Sequence, residues 1–356
     1  MLEEPSSPAH ATRPTLRVIA QAAGTSLAAT SMALRNHAGI SAKTRAHVQA
    51  VALKLGYHPD PKLSMLMQHL RTQCGVEYYE TIGYLSFYPD SRWKKYSQYY
   101  IYEGAAERAV ELGYRVEVFQ LGEPGMTPER MNNVLKARGI RGLLIGGTDQ
   151  PNMRLDLDWD YFAAVSLSYT LASPTLHCVS TDFYREMLSA LNRLQQEGYK
   201  RIGLNVKLLD DIKTFNLWRS AYLLYQDKIP KNQRIPIHAT PSGRDRLQEW
   251  VNTHKPDVII SAACDFPREY QEIYSKPPPK HIHYVNMNIF QADARSRGID
   301  QNGNAVGRLA CGNLISMLQR YEIGLPEHPQ ITSIDGKWVE DYTEWTKRNK
   351  KSRAVL

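Results

Sequence analysis

Residues 15–71 restrict the possible folds of this chain more than any other stretch, because they hold several helix starts and stops within a short span. The segment T-L-R-V-I-A-Q-A-A-G puts Leu16, Ile19 and Ala23 on one face of a helix expected over Leu16–Ala23. Gly24 stops it, since glycine takes the left-handed turn conformation without steric cost. Thr25 or Ser26 then opens a second helix through Leu27 to about Arg35, its hydroxyl accepting from the first free amides. Two helices this short, joined through one glycine, have the shape of a helix-turn-helix. A third helix begins at Ser41 as N-cap, carries Val48, Val51, Ala52 and Leu55 at i, i+3, i+4 and i+7, and ends at Gly56. His58-Pro59-Asp60-Pro61 follows, with Asp60 as N-cap and Pro61 at the first helical position. The fourth helix they start carries Leu63, Leu66, Met67 and Leu70, a stripe too short to be stable without a partner.

The order of these signals, A-Q-A-A-G-T-S, S-M-A-L-R-N, I-S-A-K-T-R and L-G-Y-x-P-D-P, resembles the headpiece of the lactose/galactose repressor family, without a gap. The resemblance implies an all-α DNA-binding domain over residues 15–58 and a hinge helix with linker over 59–76, acting on double-stranded, palindromic operator DNA. Its base-reading positions fall on Leu27, Ala28 and Met32, none of which can hydrogen-bond a base edge, so thymine-methyl contacts are what remain to them. Phosphate contacts are expected from Thr15, Ser26, Ser31, Arg35, Asn36, Ser41 and Arg45. Leu66 matches the family leucine that wedges a minor-groove base step, and two hinge helices pairing over a two-fold site imply a homodimer.

A chain of 356 residues suits such a headpiece followed by a two-lobed body at 77–345. No apolar run is long enough to span a bilayer, so no membrane partner is expected. The acidic, proline-rich residues 1–14 read as a disordered leader rather than a signal peptide. Cys74, Cys178, Cys264 and Cys311 lie far apart, and His281 and His283 lack a third ligand at metal spacing, so a reducing cytoplasm is expected and no metal or cofactor. Of the formal charge of +8, residues 1–75 hold eight Lys/Arg against three acids, and the basic tail 346–356 holds five Lys/Arg and no acid. Positive ends on a slightly acidic body suit a polyanionic partner.

From Thr81 the pattern alternates strand and helix, which predicts parallel sheets with helices on their faces. Strands are expected at TIGYLSFY, YRVEVFQL, IRGLLIGG, FAAVSLSY, YKRIGLNV, PDVIISAA, KHIHYVNMN and QITSIDGKWV. Helices are expected at Gln98–Leu112, Pro128–Arg138, Thr181–Glu197, Lys213–Gln226, Arg244–His254 and Gly298–Tyr321. The junctions ELGYRVEVF and QEGYKRIGL suggest two similar lobes, which bind small molecules facing the carboxyl ends of their strands. IGGTD lacks the lysine and spacing of a phosphate loop, and no set of catalytic motifs is present, so the body reads as a binder rather than an enzyme.

The body is similar to the family's periplasmic-binding-protein type core, in which three crossings link the lobes. That likeness implies a first lobe over about 77–168 and 301–328, and a small effector, a sugar or sugar derivative, between the lobes, whose binding either releases or recruits DNA. Asp265 and Gln301 match pocket residues; Trp218 stands where relatives place an arginine, with Arg219 one position late. Trp218 is either a stacking face for a ligand or a core residue. Phe87, Tyr88 and Tyr99 or Tyr100 are further pocket candidates. The competing class is a solute-binding protein without DNA function.

Overall fold

The computed structural model describes residues 15–34, 39–57, 80–89, 97–242, 245–262, 266–275, 277–289 and 297–341. The hinge expected at 59–76 with Leu66, the contacts expected of Arg35, Asn36 and Asp265, the leader and the basic tail lie outside them. The chain divides into two compact units, Met1–Val76 with Met317–Glu322 and Glu77–Ser316 with Ile323–Leu356.

In the first unit, α1 (Leu16–Ala22), α2 (Leu27–Leu34) and α3 (Ala42–Lys54) pack as three short helices. Gly24 takes φ +63°, which lets the Thr25 amide return to the Ala20 carbonyl at 3.0 Å and turns the chain into α2. The Ser26 hydroxyl accepts from the Ala29 amide at 3.1 Å, and the Ser41 hydroxyl accepts from Thr44 at 3.2 Å, so both N-caps are formed by serine. The core is Ile19, Ala23, Ala33, Val48 and Ala52, with Val51 and Tyr57 packed against it. Leu55, expected in that stripe, is instead 39% exposed: the helix ends at Lys54, and Leu55 leaves the buried face as its cap.

The second unit begins with β1 (Glu80–Ser86), α4 (Ser97–Glu111), β2 (Tyr114–Gln120), α5 (Pro128–Ala137) and β3 (Gly142–Ile145). Then come β4 (Met153–Arg154), β5 (Ala163–Ser166), β6 (Leu171–Ser173) and β7 (His177–Thr181). After α6 (Phe183–Gln196) follow β8 (Ile202–Lys207), α7 (Leu208–Lys213), α8 (Leu217–Lys228), β9 (His238–Thr240), α9 (Leu247–His254) and β10 (Val258–Ala262). The last elements are α10 (Phe266–Tyr274), β11 (His283–Asn286), β12 (Gly298–Asp300), α11 (Gly303–Arg320), β13 (Ile331–Ile334) and β14 (Lys337–Val339). No helix among the described residues is long and apolar enough to cross a membrane.

Two six-stranded sheets result. The first runs β13-β7-β5-β3-β1-β2 and is parallel throughout. The second runs β14-β12-β11-β10-β8-β9 and is parallel except for β14, which pairs antiparallel with β12. Such sheets need apolar cover on both faces. Leu85, Met131, Leu143 and Phe162 fill one core, and Met187, Leu194, Leu204, Tyr222 and Val285 the other. Each fully buried large side chain contributes roughly 1.5–3 kcal/mol relative to exposure.

Five expectations change. The helix predicted from Thr181 is preceded by the unexpected strand β7, whose buried Cys178, Val179, Ser180 and Thr181 give neither strong alternation nor an apolar run. The helix expected over Lys213–Gln226 is two helices, because Phe215 and Asn216 adopt φ +54° and +57° and break it. Gly298–Asp300 is a strand ahead of its helix, and QITSIDGKWV is two strands, one in each sheet. The first sheet reaches Thr181 rather than 168, so the chain crosses between lobes at Asp182, at 301–302 and at 335–336. After the second crossing α11 ties back to the first lobe, where Arg308 pairs with Glu111 at 2.7 Å and Glu107 at 3.4 Å.

Candidate functional site

The exposed side of α2 is the first candidate surface. Thr30 and Ala33 face the headpiece core, which leaves Leu27, Ala28, Ser31 and Met32 on the other side, Leu27 and Ala28 exposed and the other two half-buried. A helix whose outward first turn is small and apolar can lie close against another surface, and an exposed leucine there has no folding role. Thr15, Ser26 and Ser41 stand exposed at the helix starts, where free backbone amides favour anions. Arg45 is half-buried in the first turn of α3.

The second candidate is a cavity of about 260 Å³ between the two lobes, at the carboxyl ends of both sheets. From the first lobe it receives Tyr88 beyond β1, Gly147, Thr148 and Asp149 beyond β3, and Ser168 beyond β5. From the second come Phe183, Asp210, Lys213, Trp218 and Asn288, with Gln301 at the second crossing. The polar groups are held by one another: Gln98 accepts from the Gly147 amide at 3.0 Å, and Thr170 from the Thr148 amide at 3.0 Å while meeting the Ser168 hydroxyl at 2.7 Å. Asp210 and Lys213 pair at 2.7 Å. A deeper hollow of about 70 Å³ takes Tyr100, Ser180 and Asn288.

Trp218 answers both readings of the sequence. It is 3% exposed and belongs to the second-lobe core, yet its ring also lines the cavity, edge-on to Phe183 at 5.1 Å. Phe183 and Phe215 both meet Tyr169 of the first lobe, at 6.0 and 5.0 Å, so an aromatic row spans the lobes. Two candidates fall elsewhere. Phe87 packs against the first-lobe core instead of lining the cavity, while its neighbour Tyr88, in the bend after β1, lines it. Arg219 does not line it either: it pairs with the fully buried Asp211 at 3.0 Å and donates to Asn216 at 3.1 Å. Tyr99 contacts Tyr102. Gln98, Gly147, Asp149, Ser168, Lys213 and Asn288 were missed, although strand ends in IGGTD and FAAVSLSY marked several of them.

Burial raises the pKa of Asp211, and the Arg219 charge opposes that rise. Arg219→Met is therefore expected to destabilise the protein by about 2–3 kcal/mol, below the range for a fully buried pair because a third of Arg219 is in water. Without Arg219 the Asp211 pKa climbs further. The loss is then greatest at mildly alkaline pH and shrinks as the carboxyl takes up a proton in acid, which urea unfolding at two pH values checks.

Residues 15–60 match the family model described as bacterial regulatory proteins, lacI family. Over these residues the headpiece is of the lacI family. No curated protein sequence matches it. Among solved structures, the transcriptional regulator CelR-cellobiose complex is similar over 93% of this chain and 100% of that one, at 16% identity and TM-score 0.54. A putative ribose operon repressor from Burkholderia thailandensis covers 73% of this chain and 98% of its own, at 14% identity and TM-score 0.52. A lacI-family transcriptional regulator from Enterococcus faecium with bound ribose covers 74% and 98%, at 14% identity and TM-score 0.51. At these identities the likeness is one of fold: a lacI-family helical headpiece followed by a two-lobed α/β core of the periplasmic-binding-protein type.

Proposed function

We propose that this lacI-family regulator is a repressor that binds a palindromic operator as a homodimer, in the cytoplasm, and answers to a small carbohydrate held between the lobes of its body. The observation that carries the DNA half is the outward face of α2, with Leu27 exposed on a helix whose opposite side is fixed by Thr30 and Ala33. Leu27, Ala28 and Met32 then read thymine methyls and groove shape, Thr15, Ser26, Ser31, Arg35, Asn36, Ser41 and Arg45 hold phosphates, and Leu66 wedges a base step. The effector half rests on a cleft that pairs an aromatic wall, Trp218 and Phe183, with polar groups from both lobes. Sugars suit such a wall because their C–H faces stack on rings while their hydroxyls take the hydrogen bonds. The neighbouring structures that hold cellobiose and ribose support the same class.

A ligand gripping both lobes alters their spacing by its differential affinity for two arrangements, and so alters whether two headpieces fit one operator. A protein that only carried solutes would have no use for α2. The test is fluorescence anisotropy on DNA from upstream of its own coding sequence, with and without D-ribose and cellobiose. Specific binding that a sugar shifts supports the reading; sugar binding with no DNA affinity at any salt concentration sinks it. Arg45→Ala is expected to weaken binding evenly across DNA sequences and to reduce the slope of log affinity against log salt by about one.

A further inference from the structure

Glu186, in the first turn of α6, is 2% exposed, and neither of its carboxyl oxygens makes a hydrogen bond of full geometry. The Nε1–H of Trp218 is buried and equally open. Three crossings meet around this carboxyl. Asp182, at the first, caps the helix that carries it. Asp300 and Gln301, at the second, bear on it as a like charge and a hydrogen-bonding side chain. Gly336, at the third, lies so close that a Cβ there would come within 2.3 Å of Glu186 Oε1, so any larger residue would displace the carboxyl. The other hydrogen-bonding side chain that bears on it is Trp218. Both Trp218 and Gln301 show their other sides to the cleft.

We propose that Glu186 is a positioning residue of the cleft: its carboxyl accepts from Trp218 Nε1–H and from the Gln301 side-chain amide, and so holds two cleft-lining side chains from behind. The open geometry of both contacts fits a bridge that tightens as the lobes close. This rests on the cleft being the effector site.

Burial first, and then Asp182 and Asp300, push the pKa of Glu186 well above the usual carboxylate range, against Trp218 and Gln301, which favour its charged form. The charged groups around it are those two aspartates at the crossings. On the outer rim lie Arg185, paired with Asp335 at 3.1 Å, and Arg193, paired with Glu197 at 2.8 Å. A group whose pKa is raised on folding favours the folded arrangement in acid and loses that contribution as pH rises through its folded value. Folding stability therefore falls as pH climbs above the carboxylate range and Glu186 ionises beside two like charges.

The test uses the full-length protein labelled with ¹⁵N, following the Trp218 indole N–H resonance, assigned by its loss in Trp218→Phe. It is expected to move with pH through one transition above the ordinary carboxylate range, and to stay still in Glu186→Gln, whose carbonyl accepts the same two hydrogen bonds. With D-ribose and cellobiose as probes, Glu186→Gln keeps wild-type affinity, whereas Glu186→Met, which makes neither bond, binds about tenfold more weakly. A Trp218 resonance that does not move in the wild type, or moves alike in Glu186→Gln, overturns the proposal. If neither sugar raises the wild-type melting temperature, it is the effector reading that fails for these sugars, and the indole titration still decides the role of Glu186.

Discussion

Replacing Ile19 with alanine is expected to abolish DNA binding while leaving the melting transition of the body where it was. Among the described residues the clustered apolar core of the headpiece is five side chains, three of them alanines, and Ile19 is the largest of the five. Cutting a fully buried isoleucine back to alanine costs about 2–5 kcal/mol, and a domain of this size rarely holds more than about 3–5 kcal/mol in all. The substitution therefore removes most of what keeps α1, α2 and α3 together, and with them the outward presentation of Leu27 and Ala28. Calorimetry is expected to lose the headpiece transition only, with anisotropy on operator DNA falling to the baseline. Leu53→Ala is the control, since Leu53 is 77% exposed on the same unit and its loss removes little from the core. Wild-type operator affinity in the Ile19 variant would rule out the packing argument.

Trp218→Ala is expected to act on the body alone, lowering its stability by about 3–5 kcal/mol and removing any gain in melting temperature from added sugar. The two effects share one cause. Trp218 fills the core between α6, β8 and α8 with one part of its ring and walls the cleft with another. Its removal opens a cavity under Phe183, which loses its edge-on partner, and the aromatic row that reaches Tyr169 of the first lobe is cut. Trp218→Phe keeps most of the packing and is expected to recover most of the stability while losing the indole N–H beside Glu186. Isothermal titration and urea unfolding on both variants separate the two. Full sugar response in the alanine variant would place the ligand elsewhere.

Much of the headpiece could be read directly. Gly24 and Ser41 act through bonds to residues a few places away, so their meaning as stop and cap survives in any context that lets a helix form. The alternation of strands and helices in the body was legible for the same reason, as with TIGYLSFY and the helix capped by Thr127 before Pro128. β7 was hidden because its buried face carries Cys178, Ser180 and Thr181, residues whose place in a sheet is decided by the neighbours β5 and β13. The break at Phe215 and Asn216 was hidden too, since non-glycine residues take positive φ only where surrounding structure holds them there.

The cleft divides along the same line. Gln301 and Trp218 were found from sequence because each has a matching position, while Arg219, one place on, looked equally suited to a ligand. Only the folded protein sends Arg219 to Asp211 and leaves Trp218 on the wall, because adjacent residues on a helix point about 100° apart and only one of them can face the cleft. Glu186 gave no signal at all, being one acid in an amphipathic helix. Sequence by itself settled what nearest neighbours along the chain decide: the caps, the turns, the order of elements and the family of the headpiece. Which side chains meet between the lobes depended on residues more than a hundred positions apart, such as Glu186 with Gln301 or with Gly336, and such meetings are set by how two sheets close rather than by any local rule.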